Sequence, residues 1–177
     1  MPDRHLPAAT FEDLALPLLD QLYNFAHWLT QDATEAEDLV QESYAKALRG
    51  FSGFQVGTNF RAWMYRILRN TFLTSRSGLK SAAIEDQELD AMASNHPTPE
   101  AILLRQADRE LVQQALTQLA VPLREILLLC EVEEMSYEEI AQVLAIPMGT
   151  VMSRLYRARR ALRSLLLDKF RGGRNGL

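Results

Sequence analysis

The sequence predicts an all-α protein made of two small helical domains joined by a flexible linker. Apolar residues recur at helical spacing along most of the 177 residues, and strand-like alternation is scarce. The glycines and prolines cluster at a few breaks in this pattern. These breaks place the N-terminal domain at residues 10–77, the linker at 78–97 and the C-terminal domain at 98–170.

Helix caps and a proline define the first predicted helices. Thr10 is a favourable N-cap for a helix that Pro17 interrupts, after which the pattern continues to about Thr30. Thr34 and Glu37 have the spacing of a capping box, so the next helix is predicted to start there. Its predicted inward stripe consists of Leu39, Val40, Tyr44, Ala47 and Leu48.

A loop with glycines separates this helix from a third one. Residues 49–59 contain three glycines, and the helical pattern resumes from about Phe60 to Ser75. The buried candidates of this third helix are Trp63, Ile67 and Phe72.

A spacer precedes the second domain. Residues 76–98 are polar, acidic in the middle and poor in aromatics, which is typical of a disordered linker. Thr98 with Pro99 at the first helical position predicts a helix that continues to about Ala120. Pro122 introduces the helix that follows.

A short helix, a tight turn and a long basic helix end the chain. Ser136 and Glu139 form a second predicted capping box, residues 145–149 form the turn, and the last helix runs from about Thr150 to Phe170. This succession predicts a helix-turn-helix, in which the second helix lies in the major groove of DNA.

The charges are segregated along the chain, although the net charge is only −4. Residues 1–42 hold nine acids and one base, and residues 85–139 hold thirteen acids and three bases. By contrast, residues 43–84 hold seven bases and no acid, and residues 140–177 hold eight bases and one acid. Two basic blocks indicate two surfaces for a polyanion, and chance segregation of solvated faces is the alternative.

The composition argues against several classes of protein. Cys130 is the single cysteine and lies in an apolar run, so no intrachain disulfide can form and a core position is expected. The three histidines are scattered, which argues against a metal cluster. No signal peptide or transmembrane segment is evident. We therefore expect a cytoplasmic protein that is not an enzyme and has no cofactor or small-molecule substrate.

The last helix divides into two faces by helical spacing. One face carries an apolar stripe of Val151, Leu155, Ala158 and Leu162, which is expected to pack on the helix before the turn. The other face carries Thr150, Ser153, Tyr156, Arg157 and Arg160. Hydroxyl and guanidinium groups on this face suit phosphate and base-edge contacts, whereas the alternative is a solvated helix of an unrelated bundle.

Three segments together resemble one known family. Residues 135–162 resemble the region-4 promoter-reading motif of the extracytoplasmic-function (ECF) sigma factors of bacterial RNA polymerase, a group of the sigma-70 family. Residues 33–48 are similar to region 2.2 of that family, and residues 60–73 to its regions 2.3 and 2.4. The chain departs from the family at Ala145, where glycine is usual, and at Met152, where lysine or arginine is common.

The resemblance implies a docking role for the helix at residues 33–48. In the family this helix binds the β′ clamp helices of core polymerase, which implicates Asp38, Leu39, Gln41 and Glu42. Two other interpretations of Asp38 and Glu42 remain: solvated helix charges, or a carboxylate pair for acid–base catalysis. No nucleophile or oxyanion loop accompanies the pair in the sequence.

The helix at residues 60–76 mixes bases with aromatics, as single-strand binding requires. The resemblance implies that it reads the minus-ten promoter element and that Asn70 and Phe54 capture a flipped base. Trp63 is expected to belong to the core. The full predicted minus-ten set is Phe54, Arg61, Arg66, Arg69, Asn70 and Arg76.

The sequence thus predicts a sigma factor that binds core RNA polymerase through the β′ clamp helices and the β flap, together with promoter DNA. The predicted minus-thirty-five contacts are Thr150, Ser153, Arg154, Tyr156, Arg157 and Arg160. The family further implies control by an anti-sigma factor that sequesters the protein, which would join the nucleoid when active. The rival interpretation is a self-sufficient, dimeric helix-turn-helix regulator with an N-terminal sensor or dimerisation domain.

Overall fold

The computed structural model describes residues 9–77 and 109–172. Every regular element in these two ranges is helical, which confirms the predicted all-α class. The chain divides into two compact units between Lys80 and Ser81. The predicted linker and the predicted helix start at Thr98 lie outside the described residues. Within those residues, no helix combines the length and the apolar character needed to cross a membrane.

The described part of the N-terminal unit, residues 9–77, consists of four α-helices and two short 3-10 turns. Their bounds are α1 Phe11–Ala15, a 3-10 turn Leu16–Leu18, α2 Leu19–Thr30, α3 Ala33–Gly50, a 3-10 turn Phe51–Gly53 and α4 Phe60–Arg76. The Thr10 cap is confirmed: its side chain accepts a hydrogen bond from the Asp13 N–H at 3.2 Å. The predicted break at Pro17 is also confirmed, because the first 3-10 turn contains it.

The predicted start of α3 at Thr34 is wrong by two residues. The N-cap is Asp32, whose carboxylate accepts the Glu35 N–H at 2.8 Å. The preceding residue, Gln31, adopts a left-handed conformation with φ of 58°, which ends α2 and leaves Asp32 extended to cap the next helix. Two polar residues compete for this cap, and the one nearer the end of α2 occupies it.

Helices α2, α3 and α4 pack against one another to form the core of this unit. Leu22, Phe25, Tyr65 and Leu68 are at most 1% exposed and lie at its centre. The predicted inward position of Leu48 is wrong, since its side chain is 55% exposed. The buried stripe of α3 instead runs through Ala36, Leu39, Val40, Ser43 and Ala47.

The described part of the C-terminal unit, residues 109–172, holds four α-helices and a π-helical turn. Their bounds are α5 Arg109–Gln118, α6 Val121–Leu127, a π-helical turn Leu128–Val132, α7 Tyr137–Leu144 and α8 Met148–Gly172. The long helix α8 packs on α5, α6 and α7. In the π turn the Glu133 N–H donates to the Leu128 carbonyl oxygen at 2.9 Å, which re-aims the chain towards α7.

Candidate nucleic-acid interface

Helices α7 and α8 form the predicted helix-turn-helix. The capping box at its start is confirmed: the Ser136 hydroxyl accepts the Glu139 N–H, and the Glu139 carboxylate accepts the Ser136 N–H at 2.8 Å. Ala145 ends α7 in the left-handed conformation, with φ of 54° and ψ of 46°. The Ile146 N–H then donates to the Ala141 carbonyl oxygen at 3.2 Å, which closes the turn. An alanine therefore occupies a position that favours glycine.

The two predicted faces of α8 are present. Val151, Leu155 and Ala158 are at most 1% exposed, and α8 packs there on α7, whose Ile140 and Leu144 are also buried. The opposite side carries the residues predicted to contact the minus-thirty-five element. Among these, Tyr156 and Arg160 are exposed, and Thr150, Ser153, Arg154 and Arg157 are half-buried. The Ser153 hydroxyl donates to the Thr150 carbonyl oxygen at 3.2 Å.

One arginine of α8 forms an ion pair within the protein. The Arg159 guanidinium donates to the Glu131 carboxylate at 2.7 and 3.2 Å, and so joins α8 to the π turn. Both side chains are mostly buried, which makes this a stronger contact than a solvated ion pair. The helix carries no acidic residue between Met148 and Leu167. Its outer face is therefore a row of cations and hydroxyls suited to a polyanion.

Cys130 lies beside this ion pair rather than in the core centre. Its Sγ atom is 3.7 Å from an Arg159 nitrogen, and its side chain is half-buried. Burial raises the pKa of the Cys130 thiol, and the neighbouring Glu131 carboxylate raises it further. The neutral thiol is thus the form that this environment favours.

The loop between α3 and α4 is anchored by an aromatic cluster that sequence analysis did not find. Phe54 contacts Phe60 and Trp63 at centroid distances of 5.2 and 5.0 Å, and it stacks on Phe51 at 6.1 Å. Phe11 joins the cluster through edge contacts. Trp63 is half-buried here, so it supports the loop as well as the helix. The four aromatics between Phe51 and Trp63 were the available signal.

The predicted minus-ten residues of α4 differ in their surroundings. Arg66 and Asn70 are exposed, and Asn70 lies on the same side as Trp63, about 10 Å further along the helix. Arg61 lies over the Tyr65 ring at 5.5 Å. The remaining two are Arg69, which is half-buried, and Arg76, which is paired with Glu35 of α3 at 2.7 Å and lies over the Phe72 ring at 5.2 Å.

Three of the predicted docking residues of α3 are exposed, and one is buried. Asp38, Gln41 and Glu42 are exposed on one side of the helix, and Glu42 forms an i,i+4 ion pair with Lys46 at 2.8 Å. Leu39 is only 6% exposed and belongs to the helical core. Its side chain holds α3 in place, and its part in docking stays a prediction.

Two family models match the chain in the order of the two units. The model of sigma-70 region 2 matches residues 14–81, and that of sigma-70 region 4 matches residues 109–162. The RNA polymerase sigma-H factor of Pseudomonas aeruginosa is 37% identical over 154 residues, which cover 82% of this chain and 78% of that protein. This chain belongs to the sigma-70 family, as an ECF sigma factor.

Further comparisons agree with this family membership. The ECF sigma factor SigE of Mycolicibacterium smegmatis is 33% identical over 159 residues, or 89% of this chain, which spans 62% of the length of that relative. The crystal structure of the sigma factor RpoE of Bartonella quintana, in complex with the anti-sigma factor NepR, has a TM-score of 0.68 and 32% identity. The match covers 88% of this chain and 96% of RpoE.

As an ECF sigma factor, the chain carries its helix-turn-helix in region 4 and its basic-aromatic helix α4 in region 2. Within the described residues, no group of histidine, cysteine, aspartate and glutamate side chains is arranged to hold a metal ion. Asp38 and Glu42 are exposed on a helix face, and Glu42 is paired with Lys46.

Proposed function

We propose that this protein binds core RNA polymerase and directs it to specific promoters. The observation that carries the proposal is the match of sigma-70 regions 2 and 4, in order, to two units that each present a basic helix. Sigma factors are not enzymes, and the recognition surfaces described above require no catalytic group. The protein works in the cytoplasm, where core polymerase and DNA are found.

The two regions have different tasks in this proposal. Region 4 reads the minus-thirty-five element as duplex, with the outer face of α8 in the major groove and its arginines on phosphates and guanine edges. Region 2 reads the minus-ten element as partly melted strand. There Arg66 and Asn70 are exposed on α4, about one and two helical turns beyond Trp63, which forms with Phe54 a cluster on which an unpaired base can stack.

The partners of the protein follow from its surfaces and its relatives. The exposed carboxylates Asp38 and Glu42 on α3 suit basic side chains of the polymerase β′ clamp helices, and region 4 is the part that meets the β flap. Bartonella quintana RpoE forms a complex with an anti-sigma factor. We extend this to the present chain and propose that an anti-sigma factor holds it inactive until a signal arrives.

The rival function, a dimeric regulator, predicts a different behaviour in solution. The test is to mix the full chain with core polymerase and to measure complex formation by analytical ultracentrifugation, with bovine albumin replacing polymerase as the control. We expect a one-to-one complex with polymerase and weak binding of the free chain to duplex DNA. A stable dimer that ignores polymerase and retards a palindromic duplex would support the regulator instead.

A further inference from the structure

Helix α8 exposes a large apolar side chain in the half that enters the major groove. Met152 is the fifth residue of the helix and is 53% exposed. Among the predicted minus-thirty-five residues, its neighbour at i,i+4 spacing is Tyr156, which is exposed on the same face one helical turn further on. Met152 therefore belongs to the surface that the proposed function places against base edges.

The chemistry of this side chain is unlike that of its neighbours. A thioether chain donates no hydrogen bond and carries no charge, so it contributes nothing to phosphate binding or to reading guanine. It is flexible and polarisable, and it fits irregular apolar surfaces. The helix around it carries five arginines and no acid from residue 148 to residue 167. Such a charge pattern suits a nucleic acid, not an apolar protein groove, as the occupant of this face.

The major groove offers one apolar group that such a side chain can contact. Thymine presents its C5-methyl group there, and the edges of the other bases present hydrogen-bond donors and acceptors. Burying a methyl-sized group against an apolar side chain stabilises a complex by an amount that corresponds to about a fourfold change in affinity. Contact with that methyl group gives Met152 a specific role.

We infer that Met152 is a specificity-determining residue that reads the C5-methyl group of one thymine in the minus-thirty-five element. This inference rests on the proposed function, since it requires α8 to lie in the major groove of a promoter. It adds to that function an apolar base contact beside the polar contacts of the arginines.

The test removes single methyl groups from the DNA. A promoter is first selected from a random library by polymerase carrying the full wild-type chain. Each thymidine of its minus-thirty-five element, on both strands, is then replaced by deoxyuridine, and holoenzyme binding is measured by competition. We expect one position at which the loss of the methyl group weakens wild-type binding about fourfold. At that position the Met152→Ala holoenzyme binds thymidine and deoxyuridine DNA equally.

A matched control lies on the same helix. Leu167 is 47% exposed and lies fifteen residues, or about 22 Å, beyond Met152. The Leu167→Ala holoenzyme should retain the full sensitivity to the methyl group. Helix content measured by circular dichroism checks that both variants fold. Equal sensitivity to deoxyuridine in the wild-type and Met152→Ala holoenzymes would overturn the inference.

A second variant should change the base preference at this position instead of removing it. Met152→Arg places a guanidinium at this position, and it should exchange the thymine preference for a guanine preference at the same base pair. An unchanged base preference in this variant would also count against the inference. If the library yields no polymerase-dependent promoter, the proposed function itself fails, and that failure is visible before any methyl group is removed.

Discussion

At the scale of single residues, Ala145 adopts a left-handed conformation that is unfavourable for alanine, and the turn between α7 and α8 forms nevertheless. A β-carbon in the left-handed region costs about 1–2 kcal/mol relative to glycine. The turn still forms, because the Ser136 capping box fixes α7 at one end and the buried Ile140 and Leu144 fix it against α8. The departure from the usual family glycine therefore affects stability and leaves the geometry of the turn in place.

This argument predicts that Ala145→Gly stabilises region 4. We expect the free energy of unfolding to rise by about 1 kcal/mol, since relief of the strained φ exceeds the added entropy of the unfolded chain. Urea denaturation followed by circular dichroism measures the change. The matched control is Ala141→Gly inside α7, which should lower the free energy of unfolding by about 0.5–1 kcal/mol. If Ala145→Gly destabilises as much as the control does, the strain argument is wrong.

Arg157 carries the clearest single-residue prediction for promoter choice. It lies on the outer face of α8, one turn beyond Ser153, in the half of the helix that the proposed function places in the groove. Arg157→Ala should cost about 1–3 kcal/mol on the cognate promoter and relax specificity at one base pair. Binding of holoenzyme to a panel of single-base promoter variants tests this. A loss that is uniform across the panel would make Arg157 a phosphate contact.

At the scale of helices, the sequence predicted most of the helices, but it did not predict every helix end or the full extent of every buried stripe. The Ser136 capping box and the start of α4 at Phe60 were predicted from local patterns, because caps and helical periodicity depend on neighbouring residues. The cap at Asp32 and the exposure of Leu48 were missed. Which of two polar residues caps a helix, and how far an apolar stripe is covered, depends on packing against other helices.

For the candidate site, the sequence predicted which side of α8 is buried, but it did not predict the contacts between residues that are distant in sequence. Sequence spacing identified the buried and outer faces of α8 correctly. It could not show that Arg159 pairs with Glu131, because 28 residues separate them. Arg124 was also unexpected: it is only 4% exposed in α6, and its Nη1 atom donates to the Thr117 carbonyl oxygen at 3.4 Å. Burial lowers the pKa of the Arg124 guanidinium.

Tyr44 joins two elements of region 2 and gives them a pH dependence. Its hydroxyl donates to the Ala15 carbonyl oxygen at 2.6 Å, and burial, helped by the charge of Asp20, raises its pKa to about 12. The folded state thus holds Tyr44 neutral, and this contribution to stability is lost as the pH rises from about 10 through about 12.

The Tyr44→Phe variant tests this contribution. At pH 8 the lost hydrogen bond should lower the free energy of unfolding by about 1 kcal/mol. Between pH 10 and 12 the difference between wild type and variant should shrink, which denaturation at a series of pH values measures. Tyr23→Phe is the control, since its side chain lies on the partly exposed side of α2. A difference that stays constant with pH would contradict the assignment.

The exposed side of α3 carries the prediction for polymerase docking. Asp38→Arg should weaken binding to core polymerase about tenfold or more, because it places a like charge against basic residues of the partner. The matched control is Glu37→Arg, an equal charge change about 100° around the same exposed helix. Fluorescence anisotropy of labelled protein titrated with core polymerase measures both. Unchanged affinity for Asp38→Arg with an intact fold would remove the docking claim.

At the scale of the whole molecule, the charge pattern agrees with its division into regions. The bases of residues 43–84 fall mostly in region 2, and those of residues 140–177 fall mostly on α8 of region 4. The intervening acids keep the net charge at −4. We expect such a chain to bind DNA weakly by itself, because the acidic blocks repel a polyanion and each basic helix contributes few cations. In the proposed function, binding to polymerase adds affinity and makes promoter recognition depend on both regions.

The most direct test of this account is run-off transcription from a library of random promoters. The reactions contain core bacterial RNA polymerase with the full chain, and core polymerase alone is the control. We predict start sites that require the protein and share two elements at a fixed spacing, one for each region. Transcripts that are the same with and without the protein would contradict the account, the more so if the free chain bound a palindromic duplex tightly.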